Sequence, residues 1–322
     1  MKIKDIQTLG QSLKENVQKV IVGKDDIIDL LLVGLFSSSH ILLDDVPGTG
    51  KTLLAKTVSK SLGMNFKRVQ FTPDLLPTDL TGIQFYNQKL GEFEFRAGPL
   101  FTNLLLADEI NRATPRTQSS LLECMEERQV TIDGETHTLD RPFMVIATQN
   151  PVESQGTFPL PEAQLDRFLV KVAMGYPNKE EGISILRRFK GDHPLETLQP
   201  VASREDIKQA QHIFSDVHIS DDLLTYIMNL IEATRNHDEI ELGVSPRGSQ
   251  ALLKAAQVYA ALKGRDYVEP DDIKRLAKPV LSHRIVTRQL YQDGDTNEKI
   301  IEQILTTVEV PVEKELLEGT NQ

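Results

Sequence analysis

The chain has 322 residues, 39% hydrophobic and 26% charged, with a formal net charge of −11, so it is long enough for two domains, and its charge opposes broad contact with a nucleic-acid backbone. Its single cysteine, Cys124, excludes an internal disulfide framework and fits a reducing cytoplasm. The longest apolar stretch, Ile27 to Phe36, is interrupted by Asp29 and too short to cross a bilayer, and Met1-Lys2-Ile3-Lys4-Asp5 lacks the apolar core of a signal peptide, so the expected place of action is the cytoplasm, with no membrane span.

From about residue 40 to 174, strand-like and helix-like segments alternate, which predicts a parallel sheet wrapped by helices. Ile41-Leu42-Leu43 is a short apolar run followed by Asp45-Val46-Pro47-Gly48-Thr49-Gly50-Lys51-Thr52 and then by a helix-forming stretch, Leu53 to Leu62. Phe66 to Phe71 alternates apolar and polar residues, as a strand nearer the edge would. A weak hairpin signal runs from Ile83 through Gly91 to Phe95, within 83–97. Leu104 to Ala107 is a fully apolar strand ending in Asp108-Glu109, and Cys124 falls in the predicted helix behind it. Val130-Thr131-Ile132, Asp133-Gly134 and Glu135 to Leu139 form a strong two-residue hairpin signal, within 128–141. Phe143 to Ala147 is a third buried strand, closed by Thr148-Gln149-Asn150-Pro151, and Phe168-Leu169-Val170 a fourth, preceded by Gln164-Leu165-Asp166-Arg167. After Gly175-Tyr176-Pro177 only helix starts remain, at Ser203, Ser220, Ser245-Pro246 and Pro270, and Leu223, Ile227, Leu230 and Ile231 share one helical face. The expected organisation is therefore an α/β core over residues 1–176, a three-layer αβα parallel sheet, and an all-α domain over 177–322 whose last ten or so residues fray.

The loop 45–52 carries the clearest chemistry. A phosphate chain is held well by successive backbone N–H groups aimed from a loop that opens a helix, and Gly48 and Gly50 remove side chains that would block that approach. Lys51 would reach the β- and γ-phosphates, and the Thr52 hydroxyl would bind Mg²⁺. The first position of this pattern is usually Gly and here is Asp45, whose carboxylate would repel phosphate and is expected to point out of the cradle. Some 56 residues on, Asp108 would hold Mg²⁺ through its water shell and Glu109 would act as general base toward the attacking water. In a parallel sheet the C-terminal strand ends share one edge, so Asn150 is expected beside Asp108, orienting the water or touching the γ-phosphate. Arg247 stands in the first turn of a predicted helix, where the macrodipole disfavours a cation unless an anion is bound. Arg167, just before the last strand, is placed to project toward a neighbouring subunit more easily than toward its own nucleotide.

Taken together, Val46 to Thr52, Ala107-Asp108-Glu109-Ile110-Asn111-Arg112-Ala113, Ala147 to Pro151, Glu162 to Phe168 and Ser245-Pro246-Arg247 make the chain resemble a MoxR-type AAA+ ATPase of the clade with an inserted hairpin in helix 2. The resemblance implies Walker A at Lys51 and Thr52 with Pro47, Gly48, Thr49, Gly50 and Leu53 around the nucleotide, Walker B at Asp108 and Glu109, and sensor 1 at Asn150. It further implies an arginine finger at Arg167, sensor 2 at Arg247, and Val22-Gly23 bordering the adenine. ATP and Mg²⁺ are the implied cofactors, a hexameric ring the implied assembly, and a protein with a von Willebrand A domain the implied partner in remodelling protein or metalloprotein complexes. A magnesium-chelatase-like motor subunit is the alternative. A nucleic-acid motor is disfavoured, because the first hairpin segment balances Lys89 and Arg96 against Glu92 and Glu94 and the second carries a net −1, whereas a DNA grip needs excess Lys and Arg.

Overall fold

The computed structural model describes residues 1–151, 156–190, 194–288 and 296–311. Two helices come first, α1 (Ile3–Gln18) and α2 (Asp25–Phe36), followed by β1 (Ile41–Asp44), α3 (Lys51–Ser61), β2 (Phe66–Gln70) and the short α4 (Pro77–Thr81). The hairpin β3 (Gly82–Asn87) and β4 (Glu92–Ala97) leads to β5 (Leu104–Asp108) and α5 (Pro115–Glu127). A second hairpin, β6 (Gln129–Ile132) and β7 (Glu135–Thr138), precedes β8 (Met144–Gln149), α6 (Glu162–Leu165) and β9 (Val170–Val172). Its turn residues Asp133 and Gly134 both have positive φ, as a tight hairpin turn with right-handed strand twist requires.

Five strands form a parallel sheet in the order β2-β5-β8-β1-β9. Its residues alternate between two apolar cores. Ile41, Leu43, Leu104, Leu106, Met144 and Ile146 belong to one cluster, whereas Leu42, Leu105, Ala107, Val145 and Ala147 belong to the other. That division explains why the central strands read as unbroken apolar runs: both faces are covered by helices. The alternating segment from Phe66 is an outer strand, as its pattern suggested. At the other edge the strand starts two residues later than expected, at Val170; the Leu169 N–H donates to the His40 carbonyl, and the Phe168 and Leu169 carbonyls accept from Arg284.

The remaining helices are α7 (Lys179–Phe189), α8 (Pro194–Thr197), α9 (Arg204–Ile213), α10 (Asp221–Arg235), α11 (Pro246–Leu262), α12 (Pro270–Leu281) and α13 (Thr296–Thr307). Ser203, Ser220 and Ser245 cap α9, α10 and α11, each accepting a backbone N–H of the first turn, and Pro270 opens α12. Leu223, Ile227, Leu230 and Ile231 are buried together. The C-terminal part is not purely helical: β10 (Ile240–Leu242) and β11 (Val286–Thr287) form a small antiparallel ribbon. Segments of two and three residues leave no periodicity to detect, and their pairing spans more than forty residues. The larger apolar cluster runs from Ile6 through one sheet face to Ile304, so α1 and α2 share one core with both the sheet and the C-terminal helices. The expected fraying of the last ten or so residues concerns 312–322, outside the described residues.

Candidate functional site

β1 lies inside the sheet, and the chain leaves its C-terminal end through the loop 45–50 before entering α3. Gly48 and Gly50 have φ of +86° and +97°, conformations that a side chain resists, and a Cβ at either would point into open space in front of the loop. Gly50 precedes the first helical residue without a side-chain cap, leaving the first N–H groups of α3 aimed at the space where an anion would sit. Lys51 donates from Nζ to the carbonyls of Asp45 and Val46, at 2.7 and 2.9 Å. Asp45 turns away from the cradle as expected, but into the protein rather than into solvent. Its carboxylate accepts the Val46 N–H at 2.8 Å and the Gly175 N–H at 3.0 Å, tying the loop to the segment after β9.

A cleft of about 440 Å³ opens before this loop. Pro47, Gly48 and Gly50 to Leu53 line one wall, and the C-terminal ends of β2, β5 and β8 line the other, with Asp108, Glu109 and Asn150 among them. The parallel topology thus brings the P-loop, the acidic strand end and Asn150 into one cleft. It continues past Gly48, Gly50 and Leu53 into a more apolar cleft of about 390 Å³, lined also by Ile21, Val22, Met174, Pro177, Ile185 and Leu195, which suits a flat aromatic base. Thr49 lies on this second side. Gly23 does not line it; its φ of +67° and the closeness of Glu181 make it a backbone requirement at that bend. The sequence reading missed the wall supplied by Met174, Pro177, Ile185 and Leu195, because those residues follow the sheet and match no short motif.

The acidic end is held by a closed set of hydrogen bonds. Arg68 donates from Nε and Nη2 to Asp108 Oδ2, at 3.0 and 2.7 Å, and from Nη2 to Gln70 Oε1 at 2.8 Å. Gln70 Nε2 donates to Glu109 Oε2 at 2.6 Å. The Thr148 hydroxyl donates to Asp108 Oδ1 at 2.6 Å and accepts the Glu109 N–H at 2.8 Å. Glu109 sits in the left-handed region, φ 56° and ψ 50°, a strained conformation for a residue with a side chain, and Arg112 pairs with its carboxylate at 3.0 Å. Asn150 is buried, and its carbonyl accepts from Asn111 Nδ2 at 3.3 Å. Among the described residues no group of three or more His, Cys, Asp or Glu could enclose a metal. Thr52 and Asp108 in one cleft do fit Mg²⁺, which takes few protein oxygens and fills its octahedron with phosphate and water. Sequence reasoning missed Arg68, Gln70 and Thr148. Arg68 and Gln70 lie two apart on a strand and so share a face, but only the β2–β5 register sets that face beside Asp108.

Arg167 and Arg247 lie elsewhere. They line a polar cleft of about 230 Å³ that shares no residue with the two just described and includes Ser38, Ser39 and His40, before β1, and Leu169, before β9. This is the N-terminal edge of the sheet, separated from the P-loop by the length of β1, roughly 13 Å at the usual rise per residue. Both arginines meet one carboxylate: Glu126 Oε2 is 3.0 Å from Arg167 Nε, and Glu126 Oε1 accepts from Arg247 Nη2. Glu126 therefore supplies the anion that Arg247 at the start of α11 calls for. Asp166 joins the two segments. It accepts the Ser245 hydroxyl at 2.8 Å on Oδ2 and Arg284 Nε at 2.7 Å on Oδ1. Arg284 is buried, and its other N–H groups go to carbonyls of residues 166, 168, 169 and 280. Nearby, His40 accepts the Val145 N–H at Nδ1, 2.9 Å, and so donates from Nε2 to the Met125 carbonyl, 3.0 Å. Burial, and secondarily Arg128, pull its pKa down to about 3.

Comparison with known proteins bears on the family and the fold. Residues 40–170 match the ATPase family associated with various cellular activities (AAA), and residues 232–304 match the AAA lid domain. YeaC of Bacillus subtilis is 50% identical over 96% of this chain and 97% of its own. The chaperone MoxR1 of Mycobacterium tuberculosis is 42% identical over 95% of this chain and 83% of its own. A crystal structure from Cytophaga hutchinsonii, assigned as an ATPase, superposes with a TM-score of 0.88 at 41% identity, covering 96% of both chains. A P-loop cleft with an acidic strand end, a helical lid and relatives of this similarity lead to one conclusion: the chain belongs to the MoxR family of AAA+ ATPases, and it hydrolyses ATP.

Proposed function

We propose that this ATPase works as a Mg²⁺-dependent ring, a hexamer, in which Arg167 and Arg247 of one subunit complete the nucleotide site of the next, and that the ring remodels protein or metalloprotein complexes in the cytoplasm beside a partner bearing a von Willebrand A domain. The observation that carries the shared site is the separation of the two edges: both arginines open onto a cleft at the N-terminal edge of the sheet, while Lys51, Asp108, Glu109 and Asn150 open at the C-terminal edge. No arginine side chain is long enough to pass along β1 to its own cradle. A neighbour rotated about a ring axis would instead meet this edge with its phosphates. In such a site Lys51 and the loop N–H groups would hold the phosphates, Asn150 would orient the water, and Glu109 would accept its proton. Mg²⁺ on Thr52 and Asp108 would supply charge neutralisation at the β- and γ-phosphates.

A protein client is favoured by the β3–β4 hairpin, where Tyr86, Leu90 and Phe93 are exposed and no excess of positive charge is present. The relative MoxR1 carries the name of a chaperone, which points the same way. Among the described residues no helix is long and apolar enough to cross a membrane.

The test is the ATP turnover rate per subunit as protein concentration is raised. The shared site requires a rate that rises with concentration, and Arg167→Ala should lower it by about 10³-fold or more while leaving ATP binding intact. A rate independent of concentration and untouched by that substitution would remove the shared site from consideration.

A further inference from the structure

Asp108 is the carboxylate through which Mg²⁺ would be held, yet its lone pairs are already heavily used. Oδ2 takes two N–H groups of Arg68, and a carboxylate oxygen accepts about two hydrogen bonds. Oδ1 takes the Thr148 hydroxyl, which leaves one acceptor position for a water of a hydrated ion. Arg68 projects from the outer strand β2, its side chain is 45% exposed, and it lines the same cleft as Lys51 and Thr52. It is therefore free on one side to leave Asp108 without unpacking any core residue. Electrostatics adds to the conflict, because a guanidinium 2.7 Å from Asp108 and a divalent ion held by that same carboxylate repel one another.

We propose that Arg68 and the divalent cation are alternative partners of Asp108, so that Arg68 is a positioning residue that sets how strongly nucleotide binding depends on Mg²⁺. This rests on reading residues 47–53 as the nucleotide cradle. With Arg68 on Asp108, the negative charge of the strand end is neutralised and a metal-free nucleotide is tolerated. When the cation takes Asp108, Arg68 swings off the carboxylate toward solvent, where its side chain is already 45% exposed, and Gln70 Oε1 loses its partner in the same movement. The guanidinium thus lowers the advantage that Mg²⁺ would otherwise give to nucleotide binding.

The experiment measures the affinity of the full chain for a fluorescent ATP analogue in Mg²⁺ and in EDTA, and takes the ratio. Arg68→Ala should raise that ratio about fivefold, the scale of one half-exposed ion pair, and Arg68→Lys, which restores the charge, should bring it most of the way back. In an Asp108→Asn background the Arg68→Ala change should shrink to less than about twofold, because the partner contested is gone. A ratio that is unchanged or lowered in the Asp108 chain, or one that rises equally in the Asp108→Asn chain, overturns the proposal; a lowered ratio would mean that Arg68 and the cation act together on the phosphates. Lys51→Ala separates this from the underlying reading. If that variant binds the analogue as well as the unmodified chain does, the cradle assignment fails whatever Arg68 does.

Discussion

The two edges of the parallel sheet use charge in opposite ways. At the C-terminal edge, two adjacent carboxylates end one strand, stand across from a lysine and a helix start, and are kept in place by the Arg68, Gln70 and Thr148 hydrogen bonds. At the N-terminal edge, Arg128, Arg167, Arg247, Lys254 and Arg284 line one cleft with only Glu126 and Asp166 to offset them. The first edge suits the metal and water side of phosphoryl transfer, the second the recognition of negative charge brought from outside. The groups also come from different distances. The C-terminal edge is built from three strand ends of one sheet, whereas the N-terminal edge joins residues from before β1, the end of α5, the segment before β9, the start of α11 and the turn after α12.

The comparison can be broken at either edge. Glu109→Gln removes the carboxylate proposed as general base without removing volume, and ATP turnover should fall by about 10²–10⁴-fold with nucleotide binding retained, as read by phosphate release and equilibrium binding. A comparable loss of binding would mean that Glu109 supports the cleft rather than the chemistry. At the other edge, Arg284→Met leaves Asp166 without its guanidinium and should cost about 3 kcal/mol of unfolding free energy, the low end for a broken buried pair because Asp166 stays partly exposed. Denaturant unfolding measures this, and a loss below about 1 kcal/mol would show that the lid is not anchored there.

The smallest effect distinguishes the edges by pH. His40 is held neutral, its pKa lowered from 6.5 to about 3 chiefly by burial, and burial pushes His283 well below its usual value as well. Because the unfolded chain binds those protons more readily than the folded one, the stability each group contributes is fully present above pH 6.5 and declines as pH falls from there toward the folded value. Between pH 6 and 5, where most carboxylates remain charged, His40 should contribute a slope of about 1.4 kcal/mol per pH unit, and His283 a slope of the same sign. His40→Asn should flatten the measured slope by about one proton even though the variant is less stable at pH 7. An unchanged slope would show that His40 is not the group titrating.

Much of the C-terminal edge was legible beforehand, and for a local reason. A phosphate cradle needs glycines, a lysine and a hydroxyl at fixed offsets between a strand and a helix, so the eight residues from Asp45 carry most of the geometry themselves. The apolar runs identify strands buried on both faces, and Ser-capped starts at 203, 220 and 245 identify α9, α10 and α11. Arg68 was not legible in the same way. A lone arginine on an alternating strand reads as a surface residue until β2 is known to pair with β5 in the register that sets Gln70 beside Asp108. The apolar wall supplied by Met174, Pro177, Ile185 and Leu195 was hidden because such a surface can be built from almost any apolar side chain.

By itself the sequence determined the local chemistry: a P-loop at 45–52, an acidic strand end at Asp108-Glu109, an α/β first part and a mostly helical second part, because each depends on residue types within a few positions of one another. Tertiary structure alone decided which groups meet. It turned Asp45 onto the Gly175 N–H, paired Arg68 with Asp108, and gathered Arg167 and Arg247 around Glu126 on the edge opposite the cradle. Those meetings depend on strand order, register and the docking of α11 and the turn after α12 against the sheet, which short-range pattern does not encode.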